Sequence, residues 1–387
     1  MTILWLLCVS IAAGLTAWTV NWLALIPWRR VQDAHWTERA RLLFPVRVSA
    51  AWNIYLIAAN LVLASRLISQ EESPPWWATA LAAWLGVLAA SWPMSRETTP
   101  RLSFRDWLRE LAIAWLLYFA GWFILLAAIA IVPAHYHWSA WLVAAGVAAF
   151  HAFHIWLGWI WLWQKLGLLQ PAPAPLRHLV AQVAARAHIK VRRVWIIRSS
   201  SANAFALPHT GEVMFTDRAL EILAEDEIAA VTAHELGHLA ESRWVFLGRY
   251  LTSLSWLPWV FVRPLWNEFH VGGILVLGGV TWLISYAMGQ QSRRLEAQAD
   301  RTAHITENRD GAFARALSRL HEDSQSPAVL AAHRHSHPSL YDRLLAAGIT
   351  PSYPRPAPPE TTTWSRYLLI VILIVLLVLT AQDLASS

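Results

Sequence analysis

His234, Glu235 and His238 stand in the run His234-Glu235-Leu236-Gly237-His238. On a helix, residues four apart share a face, so both imidazoles reach one Zn²⁺. The glutamate beside the first histidine is placed to take a proton from an attacking water. Random placement gives such a run in roughly 3% of chains with this His and Glu content, so the motif alone is only suggestive. A catalytic zinc takes a third protein ligand and keeps one position open. Glu296 is the best candidate, within Arg293-Arg294-Leu295-Glu296-Ala297-Gln298-Ala299-Asp300. Glu296 and Asp300 are also four apart. One carboxylate can bind metal while the other accepts a hydrogen bond from a ligand imidazole and holds its orientation. The competing reading is a solvated helix face carrying Arg pairs.

The elements that must position these residues are legible in outline. Leu176–His188 reads as an amphipathic helix and Val191–Ile197 as a strand. Asn203–Leu207 and Glu212–Thr216 flank Pro208-His209-Thr210-Gly211, a hairpin turn by composition. Asp217 is the expected N-cap of a short helix. Glu225-Asp226-Glu227 begins a helix through about Glu241, with acidic residues where the helix dipole favours them.

The rest of the chain is built for a bilayer. Of 387 residues, 56% are hydrophobic and 14% charged, against about 25% charged in an ordinary soluble domain. The chain is neither disordered nor a purely soluble enzyme. Its 26 Trp agree with membrane–water interfaces, where indoles concentrate. Runs long enough to span occur at Thr2–Ile26, Val48–Ile68, Trp76–Trp92, Leu111–Val132, Ser139–Trp163, Trp244–Val262, Val271–Met288 and Tyr367–Thr380. The first lacks a basic n-region and a small-residue cleavage site, and reads as an uncleaved span. Arginines cluster in the segments after the first, third and fifth runs, which predicts an outside N-terminus and cytoplasmic 164–243 and 289–366. The net charge of +6 belongs to those segments; no nucleic-acid motif accompanies it. Cys8 is the single cysteine, which excludes an intramolecular disulfide and a cysteine metal cluster. Pro171, Pro173 and Pro175 predict a stiff extended linker, and Pro351–Pro359 a second one. Arg249 falls within a span and must face protein or water. His151 and His154, three apart in the fifth span, read either as functional groups or as hydrogen-bonding side chains of a bundle.

Four segments then carry a resemblance. Asn203-Ala204-Phe205-Ala206-Leu207 with Val213-Met214-Phe215-Thr216, Ala233–His238, Arg293–Asp300, and His337-Pro338-Ser339 with Arg343 occur in this order. Together they resemble the membrane-integrated zinc metallopeptidases that include the HtpX heat-shock protease and the type 1 CAAX prenyl protease. The likeness covers about Leu176–Leu345. It implies one Zn²⁺ per chain on His234, His238 and Glu296, with Glu235 as general base and Asp300 supporting a ligand. It implies that Asn203, Ala204, Phe205 and Ala206 form an edge strand that pairs with an extended polypeptide substrate. It also implies that His337 stabilises the oxyanion, where the plainer reading is a loop imidazole. Arg343 is read as structural. Two spans between the zinc helix and the third ligand are found in HtpX-like enzymes too. Five N-terminal spans are closer to the CAAX type.

The fold class expected is a multispan α-helical membrane protein with an α+β zincin-like (gluzincin) catalytic domain. Its parts are a membrane region 1–165, a catalytic first part 170–243, a membrane hairpin 244–288, a catalytic second part 289–350, a Pro-rich linker 351–366 and a last span 367–380. The function expected is a zinc endopeptidase of the bacterial inner membrane, with the catalytic domain in the cytoplasm and membrane or membrane-associated proteins as substrates. The partners are the lipid bilayer and the polypeptide substrate, with no nucleic acid. Rival readings are a CAAX-type processing enzyme, an antibiotic-sensor type signalling protease, an intramembrane-cleaving protease, and a scaffold or transporter with an incidental motif.

Overall fold

A computed structural model describes residues 2–68, 76–114, 120–154, 159–306, 311–330, 338–360, 367–372 and 375. It is mostly helical with one small sheet, and divides into two compact units.

The first unit comprises residues 1–107, 324–331 and 353–387. It contains α1 (Thr2–Ala24), the short α2 (Ile26–Arg29), α3 (Trp36–Ile68), α4 (Trp76–Thr98) and the start of α5 (Phe104–Ala114). Helices α1 and α4 pack through small residues. A Cβ on Gly86 would lie 1.9 Å from the Ser10 carbonyl oxygen, so only glycine permits this approach. Val9, Ala13, Ala17, Ala83 and Val87 fill the seam. Arg29 donates to Glu97 from Nε and Nη2 at 2.6 Å each, closing the polar end. The run expected to begin at Val48 is the second part of the 33-residue α3, which starts at Trp36 and continues through Pro45. Arg39, Arg41 and Arg47 are therefore helical rather than in a loop. Arg47 donates to the Ser324 carbonyl at 2.5 Å, anchoring the 324–331 segment.

The second unit comprises residues 108–323 and 332–352. Its apolar part holds α6 (Ala120–Ile131), α7 (Trp138–Phe153), α8 (Trp159–Lys165), α12 (Arg243–Ser253), a 3-10 turn at Leu257–Phe261, and the 45-residue α13 (Val262–Thr306). The run 244–262 is broken between α12 and the turn, where Pro258 removes a helical donor. Helix α13 kinks at His270, at φ 49° and ψ −137°. His151 Nε2 lies 2.8 Å from Ser253 Oγ and joins α7 to α12, the hydrogen-bonding role.

The site-bearing part holds β1 (Leu169–Pro171), α9 (Ala174–Ala187), β2 (Arg193–Ile197), β3 (Ala204–Leu207), β4 (Glu212–Thr216), α10 (Asp217–Ile222), α11 (Glu225–Leu239), α14 (Ala312–Asp323) and α15 (Leu340–Ala346). The sheet order is β1-β2-β4-β3, with β2 parallel to β4 and both outer strands antiparallel. Two expectations are corrected here. The Pro171–Pro175 stretch is not a linker. Pro171 ends β1, paired with Trp195, and Pro175 sits in the first turn of α9. Edge strands and helix starts are the places that tolerate a missing N–H. The cap of α10 is Thr216, whose hydroxyl accepts from Ala219 N at 3.1 Å. Asp217 instead accepts from Ser199 N at 2.9 Å and holds the loop before β3.

Among the described residues, three helical stretches are long and apolar enough to cross a membrane: Thr2–Ala24, Ala78–Thr98 and Trp244–Thr306, with mean hydropathies of 2.0, 1.2 and 1.7. The apolar part of the last one precedes its charged C-terminal third. Half of the expected last span, 367–380, lies outside the described residues.

Candidate metal centre

Helix α11 begins with Glu227 reaching back to Ala224 N at 2.9 Å. That carboxylate is 1% exposed and has Arg319 Nε 3.3 Å away. The acidic first turn is thus both capped and paired, which fixes the start of the helix. One face of α11 packs against α13 at a glycine. A Cβ on Gly237 would fall 2.7 Å from Ala299 Cα and 3.1 Å from its Cβ. This contact brings Glu296, one turn before Ala299, opposite the two histidines.

Ligand atoms of His234, His238 and Glu296 lie within 4.8 Å of one another. Glu296 Oε2 is 3.7 Å from His234 Nε2, and Oε1 is 3.6 Å from His238 Nε2. The imidazole planes are 84° apart. A tetrahedral zinc with bonds near 2.0–2.1 Å asks for ligand separations of roughly 3.3 Å. Small side-chain movements close that gap. The donor set suits zinc, and both Nε2 atoms face the shared space because each Nδ1 is already engaged.

His234 Nδ1 lies 3.0 Å from Asp300 Oδ1. Arg343 grips the same carboxylate, Nε at 2.8 Å and Nη2 at 2.5 Å. Burial pushes the Asp300 carboxyl up, and the hydrogen bonds to His234 and Arg343 overcome this and bring it down to about 2. His238 Nδ1 donates to Glu241 Oε1 at 2.8 Å. Burial works against the His238 imidazolium; the Glu241 bond and the charges of Glu235, Glu296 and Glu241 outweigh it and hold its pKa above the ordinary 6.5.

Proton and zinc compete for His238 Nε2. A raised value keeps the ring protonated at higher pH. Zinc affinity is therefore expected to be level in alkali and to fall as the pH drops through a point above 6.5. Titration against a competing chelator across pH checks this. A fall beginning only below 6.5 contradicts it.

The structure brings together Glu235, His234, His238, Glu296 and Asp300. Glu235 and His234 are each 8% exposed. Strand β3 is one of the two outer strands of the sheet and begins at Ala204, one residue later than expected. Asn203 precedes it and exchanges hydrogen bonds with Thr216. Phe205 is 40% exposed. His337 lies outside the described residues. Sequence reasoning missed Gly237, Glu241 and Phe313. Phe313 stacks on His234 at 5.3 Å and carries Arg343 over its ring. Its signal was the amphipathic pattern of 312–323.

The comparisons cover the same stretch. Residues 173–348 match peptidase family M48. Within this M48 segment fall all the residues of the centre. A protein named Probable CAAX prenyl protease 1 from Schizosaccharomyces pombe is 29% identical over 207 residues, 45% of this chain and 42% of that protein. A Protease HtpX homolog from Acaryochloris marina is 29% identical over 178 residues, 42% and 61% of the two chains. Another from Nostoc punctiforme is 34% identical over 163 residues, 38% and 56%. The matches span 42% to 61% of these relatives' lengths.

Proposed function

We propose that this chain is a zinc-dependent membrane endopeptidase that hydrolyses peptide bonds of membrane or membrane-associated polypeptides, as an HtpX-like protease would. The observation that carries the reading is the convergence of His234, His238 and Glu296 around one point beside Glu235. Zinc held there supplies Lewis acidity toward a carbonyl and a lowered pKa for water. Glu235 takes a proton from water as its oxygen adds to the scissile carbonyl carbon, then delivers that proton to the leaving amine nitrogen. Asp300 and Arg343 hold the His234 ring so that Nε2 points at the metal. The outer edge of β3, at Ala204–Ala206, offers backbone groups to an extended substrate, with Phe205 as an apolar contact. His337 is the assigned electrophile for the oxyanion. The Arg distribution supports a cytoplasmic catalytic part.

A second reading, a processing protease for one membrane-anchored substrate, is favoured by the match to a relative named a CAAX prenyl protease. Metal removal tests both. The detergent-purified chain is given an unfolded model protein. Cleavage that a chelator abolishes and stoichiometric zinc restores supports the general endopeptidase. Bound zinc without cleavage favours the processing enzyme. Cleavage indifferent to chelation overturns the metallopeptidase.

A further inference from the structure

Glu241 occupies a costly place. It lies two residues past Leu239, the last residue of α11, where the helix carbonyls disfavour a negative charge. Its side chain is 4% exposed, and a buried carboxylate costs stability unless it is paired. Its partners are His238 Nδ1, at 2.8 Å, and Arg249. Arg249 Nη1 lies 2.8 Å from Oε2 and Nη2 3.0 Å from Oε1. Arg249 is itself out of place. It lies on α12, whose exposed side carries Trp244, Leu247 and Leu251. A cation in such a segment is expensive. A buried carboxylate held by a part-exposed arginine beside the His238 imidazole points to a role beyond stability, since apolar side chains of similar volume often join two helices as well.

We propose that Glu241 and Arg249 are a positioning pair for His238, an inference that rests on the zinc reading above. The carboxylate accepts a hydrogen bond from Nδ1–H, which leaves the Nε2 lone pair free for a metal and fixes the ring plane. The guanidinium grips both oxygens of Glu241 and prevents its rotation. The arrangement repeats, on the second histidine, what Asp300 and Arg343 form on the first. Each imidazole is then backed by a carboxylate and each carboxylate by an arginine. Arg249 acts only through Glu241.

The test measures zinc affinity of the full chain in detergent by competition with a chromophoric chelator, alongside the visible spectrum of the Co²⁺-loaded protein. Glu241→Ala is expected to weaken zinc about 10–100-fold and to shift the Co²⁺ bands. Arg249→Met is expected to weaken it less, Arg249→Lys to recover most of that loss, and the double variant to match Glu241→Ala alone. Affinity and spectrum unchanged in Glu241→Ala and Arg249→Met, with only thermal stability lowered, overturn the proposal in favour of a plain ion pair. Additive losses in the double variant overturn the dependence of Arg249 on Glu241. Should the Ala and Met variants not fold, Glu241→Gln and Arg249→Lys carry the same comparison with smaller changes of shape. A wild-type chain that binds no zinc is the separate failure of the zinc reading itself.

Discussion

Glu235→Gln is expected to lower kcat for peptide cleavage by about 10²–10⁴-fold, the range set by loss of a positioned general base. That is about 3–5 kcal/mol of barrier. The substitution keeps the shape of a side chain that is 8% exposed. It removes the carboxylate proposed to accept the water proton and leaves His234, His238 and Glu296 in place. Zinc content is therefore expected to equal that of the wild type, and KM to change far less than kcat. Single-turnover cleavage of an unfolded protein with metal analysis of the same sample measures both. Activity within twofold of wild type would remove Glu235 from the mechanism, and zinc lost along with activity would reassign it to holding the metal.

Gly237→Ala carries the second large effect, and its sign is a contest between two terms. Alanine is the better helix former by about 1 kcal/mol. On that count alone the variant would be more stable. The added Cβ, however, meets the Ala299 backbone at 2.7 Å and the Thr302 Cβ at 3.3 Å. Backbone cannot swing aside as a long side chain can. Helix α13 must move away from α11, at about 1–3 kcal/mol for overpacking, and Glu296 moves with it. A site that holds zinc through His234, His238 and Glu296 would lose its third ligand by such a shift. Zinc below stoichiometric occupancy and cleavage below detection are expected. Gly248→Ala, where a Cβ meets nothing within 4 Å, is the matched control and should retain both. Full zinc and activity in Gly237→Ala would show that the two helices do not need this contact.

What could be read in advance was whatever repeats with the period of a helix. His234 and His238, and Glu296 and Asp300, declare themselves by four-residue spacing, because the facing direction of such a pair follows from geometry within one helix. Strand β2 was legible from its β-branched and aromatic run, and β3 and β4 from the turn at 208–211 between them. The supporting residues were not. Gly237 occupies a variable position of the motif, and its requirement comes from Ala299 on another helix. Glu241, three residues after His238, has the composition of a solvated helix end; its burial depends on Arg249 folding back. Thr216 and Asp217 stand side by side as eligible caps, and the choice is made by the loop at Ser199, which claims Asp217. The prolines at 171–175 suit a linker and an edge strand equally, and only pairing with β2 decides between them.

The grip of Arg343 on Asp300 spans 43 residues of chain. A ribosome delivers His234, Glu235 and His238 first, Glu296 and Asp300 next, and the arginine last of all. Until α15 has emerged and docked, the carboxylate behind His234 lacks its anchor. The centre therefore lacks its last supporting residue until nearly every other part of that unit has been made. Docking of α15 and completion of the support behind His234 are therefore one event.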